Sequence, residues 1–369
     1  MEKLVAIVGT GRNGSTLLGR LLDGSPDLWM HPLDLCYLSA WDDLARTGHV
    51  SAATFQNRTT RRLRALDGAL PATRLLEIYA PQWAEIERDY VNHLVEQIPL
   101  GDPATALEER ERWSAPEFLP AFLDATRMSF GDSGEERLLA FKTIETPYVD
   151  DYARAFPQMR FVHIIRDPVT TYASLKRTRM QQKHLPFYAD GDHLRTFLEA
   201  RWLPHAAAIA RGVEQEPARH LLVRYEDLTA DARGTIGMVC EWLGIAMPRE
   251  PDRQTALGGR HLTELVSNSS APGVPTPEHV VADMSGRFAY DDVLTARERA
   301  LVEHATALTA SHFGYAKKPG PAARVWLSWL IPDADERLNR RSRLRWSIEV
   351  ARRRMFITQL LLMHARSHR

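Results

Sequence analysis

The stretch LVAIVGTGRNGSTLLGRLLD, Leu4 to Asp23, constrains the fold more than any other part of the chain. Leu4–Val8 is a short, wholly apolar run stopped by glycine, the pattern of a strand buried on both faces in a parallel sheet. A helix is predicted over Ser15–Asp23. A strand that feeds a glycine-rich turn into a helix requires crossover connections, hence an α/β architecture. The turn fits the phosphate-loop template G-x-x-x-x-G-K-[ST] at Gly9, Gly14 and Thr16, but Ser15 stands where the lysine belongs. Backbone N–H groups converge in such a turn, and the helix dipole adds favourable potential for an anion. Ser15 and Thr16 supply hydroxyls, and Arg12 supplies a cation from within the loop.

The remaining pattern extends this architecture. Strands are predicted at Leu138–Lys142, Arg160–Ile165 and His220–Arg224. Helices are expected over Pro147–Ala155, Val169–Arg179, His193–Gly212 and Ala230–Leu243, and mostly helical structure over 34–130. Pro168 suits the first turn of its helix. Thr295 with Glu298 three residues on marks the start of an amphipathic helix reaching Phe313. Residues 265–290, rich in Ser, Pro and Gly, read as an ordered loop or flap. The fold class is thus a central parallel sheet flanked by helices, akin to phosphate-loop nucleotide-binding folds. One α/β domain with helical insertions is expected over 1–318, and a basic helical extension over 319–369.

Composition narrows the function classes. The 369 residues carry no formal net charge, so no global basic field argues for nucleic acid. Only two cysteines occur, Cys36 and Cys240, without metal-ligand spacing, which fits a reducing compartment. The first apolar run is too short for a signal-peptide core, and no stretch approaches the roughly 18–20 apolar residues that span a bilayer. A cytoplasmic protein is the expectation. The extension, with Trp326, Trp329 and Trp346 among basic residues, reads either as helices packing on the core or on a second copy, or as a peripheral contact with a membrane surface or lipid.

A second anion site lies in FVHIIRDPVTTYAS, Phe161 to Ser174. Arg166 ends a strand at the ligand edge of an open parallel sheet, and Ser174 follows about two helical turns on. Arginine and a hydroxyl can hold a second phosphate. Two separate anion sites along one sheet edge suggest a nucleotide phosphorylated at both ends of its ribose.

These residues resemble the sulfotransferase family that uses 3′-phosphoadenosine 5′-phosphosulfate (PAPS). GTGRNGSTLL is similar to its 5′-phosphosulfate loop and RDPVTTYAS to its 3′-phosphate motif. VRYEDLTADARGTIGMVCEWLGI and LTARERALVEHATALTASHFGY look like its later helices. The resemblance implies that Arg12 meets the transferring sulfuryl group. It implies that Asn13, Gly14, Ser15 and Thr16 cradle the 5′-phosphate, that Arg166 and Ser174 hold the 3′-phosphate, and that Tyr225 lies near the adenine. A last basic contact falls on Arg287. It further implies PAPS as donor and 3′-phosphoadenosine 5′-phosphate as product; no metal is invoked, since the sequence shows no ligand cluster.

Sulfuryl transfer to a hydroxyl needs a base within hydrogen-bond reach. Where cytosolic members of the family carry a histidine, in a Lys-Thr-His segment, this chain has Lys142-Thr-Ile144-Glu145. Branches that sulfate heparan chains use a carboxylate shortly after the first helix, and Asp34 falls on that position. Asp34 ranks first as base, then His31, then Glu145; an alternative role for Asp34 is a helix N-cap. His163, inside a strand, reads as a core histidine. The expected activity is sulfuryl transfer to a small-molecule, glycan or lipid acceptor. The alternatives are a phosphoryl-transfer enzyme, disfavoured by the absent lysine and magnesium carboxylate, and a non-catalytic nucleotide-binding protein.

Overall fold

The computed structural model describes residues 4–50, 63, 66–130, 132, 137–181, 194, 197–263 and 293–315. The chain runs β1 (Leu4–Val8), α1 (Ser15–Leu22), β2 (Leu28–Asp34), α2 (Tyr37–Thr47), β3 (Ala69–Pro71), α3 (Ala72–Asp89), α4 (Pro103–Glu108), β4 (Arg112–Ser114) and α5 (Ala115–Ser129). It continues through β5 (Leu138–Thr143), α6 (Val149–Ala155), β6 (Arg160–Ile165), α7 (Pro168–Gln181), a π-turn (Leu198–Trp202), α8 (Leu203–Gln215) and β7 (His220–Arg224). Last come α9 (Tyr225–Ala230), α10 (Ala232–Leu243) and α11 (Ala296–Ser311).

Five strands form one sheet in the order β2-β5-β1-β6-β7, every pairing parallel. Alternation along the strands splits the core into two layers. Leu4, Ala6 and Val8 of β1, with Phe141 and Phe161, join the aromatic helices on one face, including Trp41, Phe118 and Phe122. Val5, Ile7, Ala140 and Ile164 point the other way, onto Leu18 and Leu22 of α1 and Ile236 and Val239 of α10. Each large side chain so buried, such as Ile7, Leu18 or Phe141, contributes about 1.5–3 kcal/mol relative to exposure. Because β1 sits at the centre, its carboxyl end delivers the glycine loop to the middle of the sheet edge.

The structure departs from the sequence expectation at β2. A fifth strand stands at the sheet edge just ahead of the expected helical stretch, where no element was predicted, and its register with β5 breaks between Met30 and Asp34. Pro32 cannot donate to a ladder, so an edge position with a break is where such a strand survives. Asp34 ends this strand, and Cys36 rather than Asp34 occupies the N-cap of α2. Within 34–130, the short antiparallel pair β3–β4 also interrupts the expected helices. The helix expected from His193 contains the π-turn and runs on to Gln215. The flap at 265–290 and the extension at 319–369 lie outside the described residues.

The contacts divide the chain into two compact units, Met1–Arg166 with Ser174–Ala289, and Asp167–Ala173 with Tyr290–Arg369. The second unit contains α11, whose N-terminus carries the capping box of Thr295 and Glu298. Leu301, Val302, Thr306 and Ala310 form its buried stripe. In the first unit, residues 254–263 form a strap. Leu257, Gly258 and Gly259 all take left-handed φ values of 54°, 83° and 85°. The amides of Gly258 and Gly259 donate to the buried Asp23 carboxylate at 3.1 and 2.8 Å. Beyond them, Val95 N–H donates to His261 O and Thr263 N–H to His93 O.

Candidate functional site

The glycine loop leaves β1 where Gly9 N–H donates to Thr143 O at 3.0 Å. Gly11, Arg12 and Gly14 then adopt φ of 75°, 64° and 96°. Left-handed residues so closely spaced turn successive N–H groups toward one concavity, an anion nest. Glycine is obligatory at 14 for a second reason: a Cβ there would lie 2.3 Å from Tyr225 Cδ2. Gly14 is the N-cap of α1 and offers no side-chain acceptor, so the first-turn N–H groups suit an external anion. Asn13 is fully buried and its Nδ2 donates to Ile164 O, tying the loop to β6.

The two sequence-predicted anion sites come together. Arg166 Nη1 donates to Arg12 O at 3.4 Å, and Arg12 Nε donates to Ser174 Oγ at 3.2 Å. The Arg166 guanidinium lies over the Tyr225 ring, 4.3 Å from its centroid. Stacking on the aromatic face holds the guanidinium in orientation. Arg12, Gly14, Arg166, Ser174 and Tyr225 thus form one contiguous cluster at the carboxyl ends of β1 and β6. Ser15 and Thr16 open α1 beside it. Arg287 lies outside the described residues.

The three base candidates have different surroundings. Asp34 is about a third exposed, and its Oδ1 stands 3.6 Å from Lys142 Nζ. His31 is completely buried, and burial holds its pKa down to about 4, so its imidazole is neutral. Its Nδ1 lies 3.2 Å from Leu33 O. A carbonyl only accepts, so Nδ1 carries the proton and Nε2 the lone pair. Glu145 is wholly buried and accepts from the Leu38 and Ser39 amides at 3.1 and 2.8 Å and from the Tyr152 hydroxyl. It anchors the N-terminus of α2, where a carboxylate meets the positive end of the helix dipole.

Sequence reasoning missed Lys142 as a site residue. It ends the apolar run of β5, and its buried Nζ donates to Thr16 Oγ1 at 3.3 Å. The loop's absent lysine therefore has a counterpart on a neighbouring strand. The signal was present as a lysine closing LLAFK, a residue type rarely buried without a partner. Lys142, Thr16 and His31 line one small cavity together with Arg20, Tyr90 and Thr255. Among the described residues, no group of three or more His, Cys, Asp or Glu could hold a metal ion. Nor is any described helix long and apolar enough to cross a membrane.

A comparison with known families decides the assignment: the sulfotransferase family profile matches residues 5–249. The chain belongs to the sulfotransferase family. The match spans every strand of the main sheet and both anion motifs of this sulfotransferase. A search of curated proteins returns no significant match. Among solved structures, the sulfotransferase domain from the curacin biosynthetic pathway aligns at 15% identity with a TM-score of 0.51, over 86% of this chain and 99% of that one. It shares the fold. The sulfotransferase domain of the Synechococcus PCC 7002 olefin synthase aligns at 18% identity and a TM-score of 0.48, over 85% and 95%.

Proposed function

We propose that this sulfotransferase moves a sulfuryl group from PAPS to a hydroxyl (or amine) of a metabolite, glycan or lipid acceptor by in-line displacement. The observation that carries the reading is the contiguous Arg12–Ser174 and Arg166–Tyr225 cluster beside the left-handed loop. Such a cluster suits a nucleotide with anionic groups on both sides of its ribose. The residues fit this donor: the nest and the Ser15 and Thr16 hydroxyls would take the 5′ end, and Arg166 and Ser174 the 3′-phosphate. The donor supplies the sulfuryl group and a leaving group stabilised by its own phosphates.

The chain's part is positioning, charge stabilisation and proton removal. Asp34 is the base of this reading, being the partly exposed carboxylate at the end of β2. The neighbouring Lys142 and the loop's Arg12 stabilise negative charge that builds on sulfuryl and bridging oxygens. The acceptor O–H bond breaks toward Asp34 as its oxygen bonds to sulfur and the sulfur–bridging-oxygen bond breaks. Neutral His31 is poised to accept a hydrogen bond, whereas Glu145 is committed to α2.

Calorimetry with 3′-phosphoadenosine 5′-phosphate, followed by an acceptor panel with labelled PAPS, tests the reading. The expected result is saturable binding lost in Arg166→Ala, and transfer slowed about 10²–10⁴-fold in Asp34→Asn with nucleotide binding retained. Absence of nucleotide binding by the wild-type protein, or magnesium-dependent ATP turnover instead, would overturn it.

A further inference from the structure

Asn13 stands between two left-handed residues of the glycine loop, Arg12 at φ 64° and Gly14 at φ 96°. The side chains of Arg12 and Asn13 part there. Arg12 reaches Ser174 Oγ, while Asn13 is folded inward with no exposed surface. Its carboxamide lies against Gly9, where an added Cβ would fall 2.6 Å from both Oδ1 and Nδ2. Nδ2 donates to Ile164 O. Ile164 meets the loop a second time, since its Cδ1 would lie 3.3 Å from a Cβ on Gly14. Two residues beyond Ile164 is Arg166, the cation of the second anion site, whose Nη1 returns a hydrogen bond to Arg12 O.

A side chain with no exposed surface makes no contact with a ligand seated in the loop's concavity. Asn13 Oδ1 is also buried, without a hydrogen-bond partner among the described residues. Leaving such an oxygen unpaired costs stability, a cost that a leucine of similar size would avoid. What the carboxamide supplies and leucine cannot is the bond to β6. A non-glycine residue in the left-handed region persists only where its surroundings hold it, and this bond is the restraint next to Arg12. We infer that Asn13 is a positioning residue that couples the two anion sites, and that its side chain is no part of the 5′-phosphate cradle. Released from Ile164 O, the loop loses its register with Arg166, so both ends of a nucleotide bind less well. The inference rests on the donor reading above and replaces the role that the sequence resemblance implies for Asn13.

The test uses three probes on the full chain: 3′-phosphoadenosine 5′-phosphate, adenosine 5′-phosphate and adenosine 3′-phosphate. Calorimetry reads each dissociation constant, by displacement of the bisphosphate where a monophosphate is weak. A lost hydrogen bond between neutral groups corresponds to a loss of about two- to tenfold. Asn13→Leu should weaken each monophosphate by about that factor and the bisphosphate by more than either. A cradle ligand would instead spare adenosine 3′-phosphate. A merely structural role would lower the binding stoichiometry and leave the dissociation constants alone. Either of those patterns, or no change at all, would overturn the assignment. Gly9→Ala, which drives a Cβ into the Asn13 carboxamide, should reproduce the Asn13→Leu pattern and carries the test if that variant fails to fold. If the wild-type protein binds none of the three probes, the donor reading itself fails, an outcome distinct from a wild-type that binds and a variant that binds equally.

Discussion

His205 lies on α8 with no exposed surface, and neither ring nitrogen has a hydrogen-bond partner among the described residues. Its ring centroid is 5.6 Å from that of His163, whose Nε2 meets His220 Nδ1 at 2.9 Å. Burial pushes the His205 pKa down to about 3. In the unfolded chain a histidine titrates near 6.5. The folded value is the lower one, so below about pH 6.5 the unfolded chain takes up a proton that the folded chain refuses. The contribution of His205 is therefore intact above that pH and is lost progressively as pH falls toward 3. At pH 5 the gap of about 1.5 units corresponds to roughly 2 kcal/mol from this residue alone. His205→Leu removes the titration and an unsatisfied polar group, so it should stabilise by about 1–3 kcal/mol at pH 7.5. Urea unfolding at pH 7.5 and pH 5.0 reads both effects. The wild-type protein should lose about 2 kcal/mol more than His205→Leu between the two pH values. An equal loss would refute the reasoning, because it would mean that His205 does not remain neutral in the folded state.

Three further outcomes follow from the site. Gly14→Ala forces a side chain into a left-handed position and against Tyr225; a loss of roughly 2 kcal/mol or more is expected in thermal unfolding, together with weakened nucleotide binding. Glu145→Ala removes the acceptor of the Ser39 amide and the Tyr152 hydroxyl and the nearer acceptor of the Leu38 amide, and should cost at least about 3 kcal/mol in urea titrations. Arg166→Ala should weaken 3′-phosphoadenosine 5′-phosphate at least tenfold in calorimetry, more at low salt than at high salt.

The interior of the sheet was legible from the sequence because fully buried parallel strands announce themselves as uninterrupted apolar runs. Leu4–Val8, Arg160–Ile165 and His220–Arg224 match the structure residue for residue, and β5 runs one residue further than expected. β2 was not legible, since His31 and Pro32 break its apolar pattern and only an edge position tolerates them. Arg12, Arg166 and Ser174 could be placed near one edge from their motifs, but their direct hydrogen bonds could not. Lys142 meets Thr16 across 126 positions of sequence, and Glu145 reaches back to Leu38 and Ser39 across more than 100. No local periodicity encodes such pairings; they arise when the parallel crossover sets strand ends side by side.

The strap gripping Asp23 bears on where the sulfotransferase can be cut. The family match stops at residue 249, yet the amides that hold the buried Asp23 carboxylate belong to Gly258 and Gly259. A fragment trimmed at the family boundary would deprive an interior carboxylate of the Gly258 and Gly259 amides and the Thr255 hydroxyl just after α1, the helix that opens from the glycine loop. The minimal transplantable unit therefore extends at least through Thr263, whose amide closes the last contact of the strap with His93.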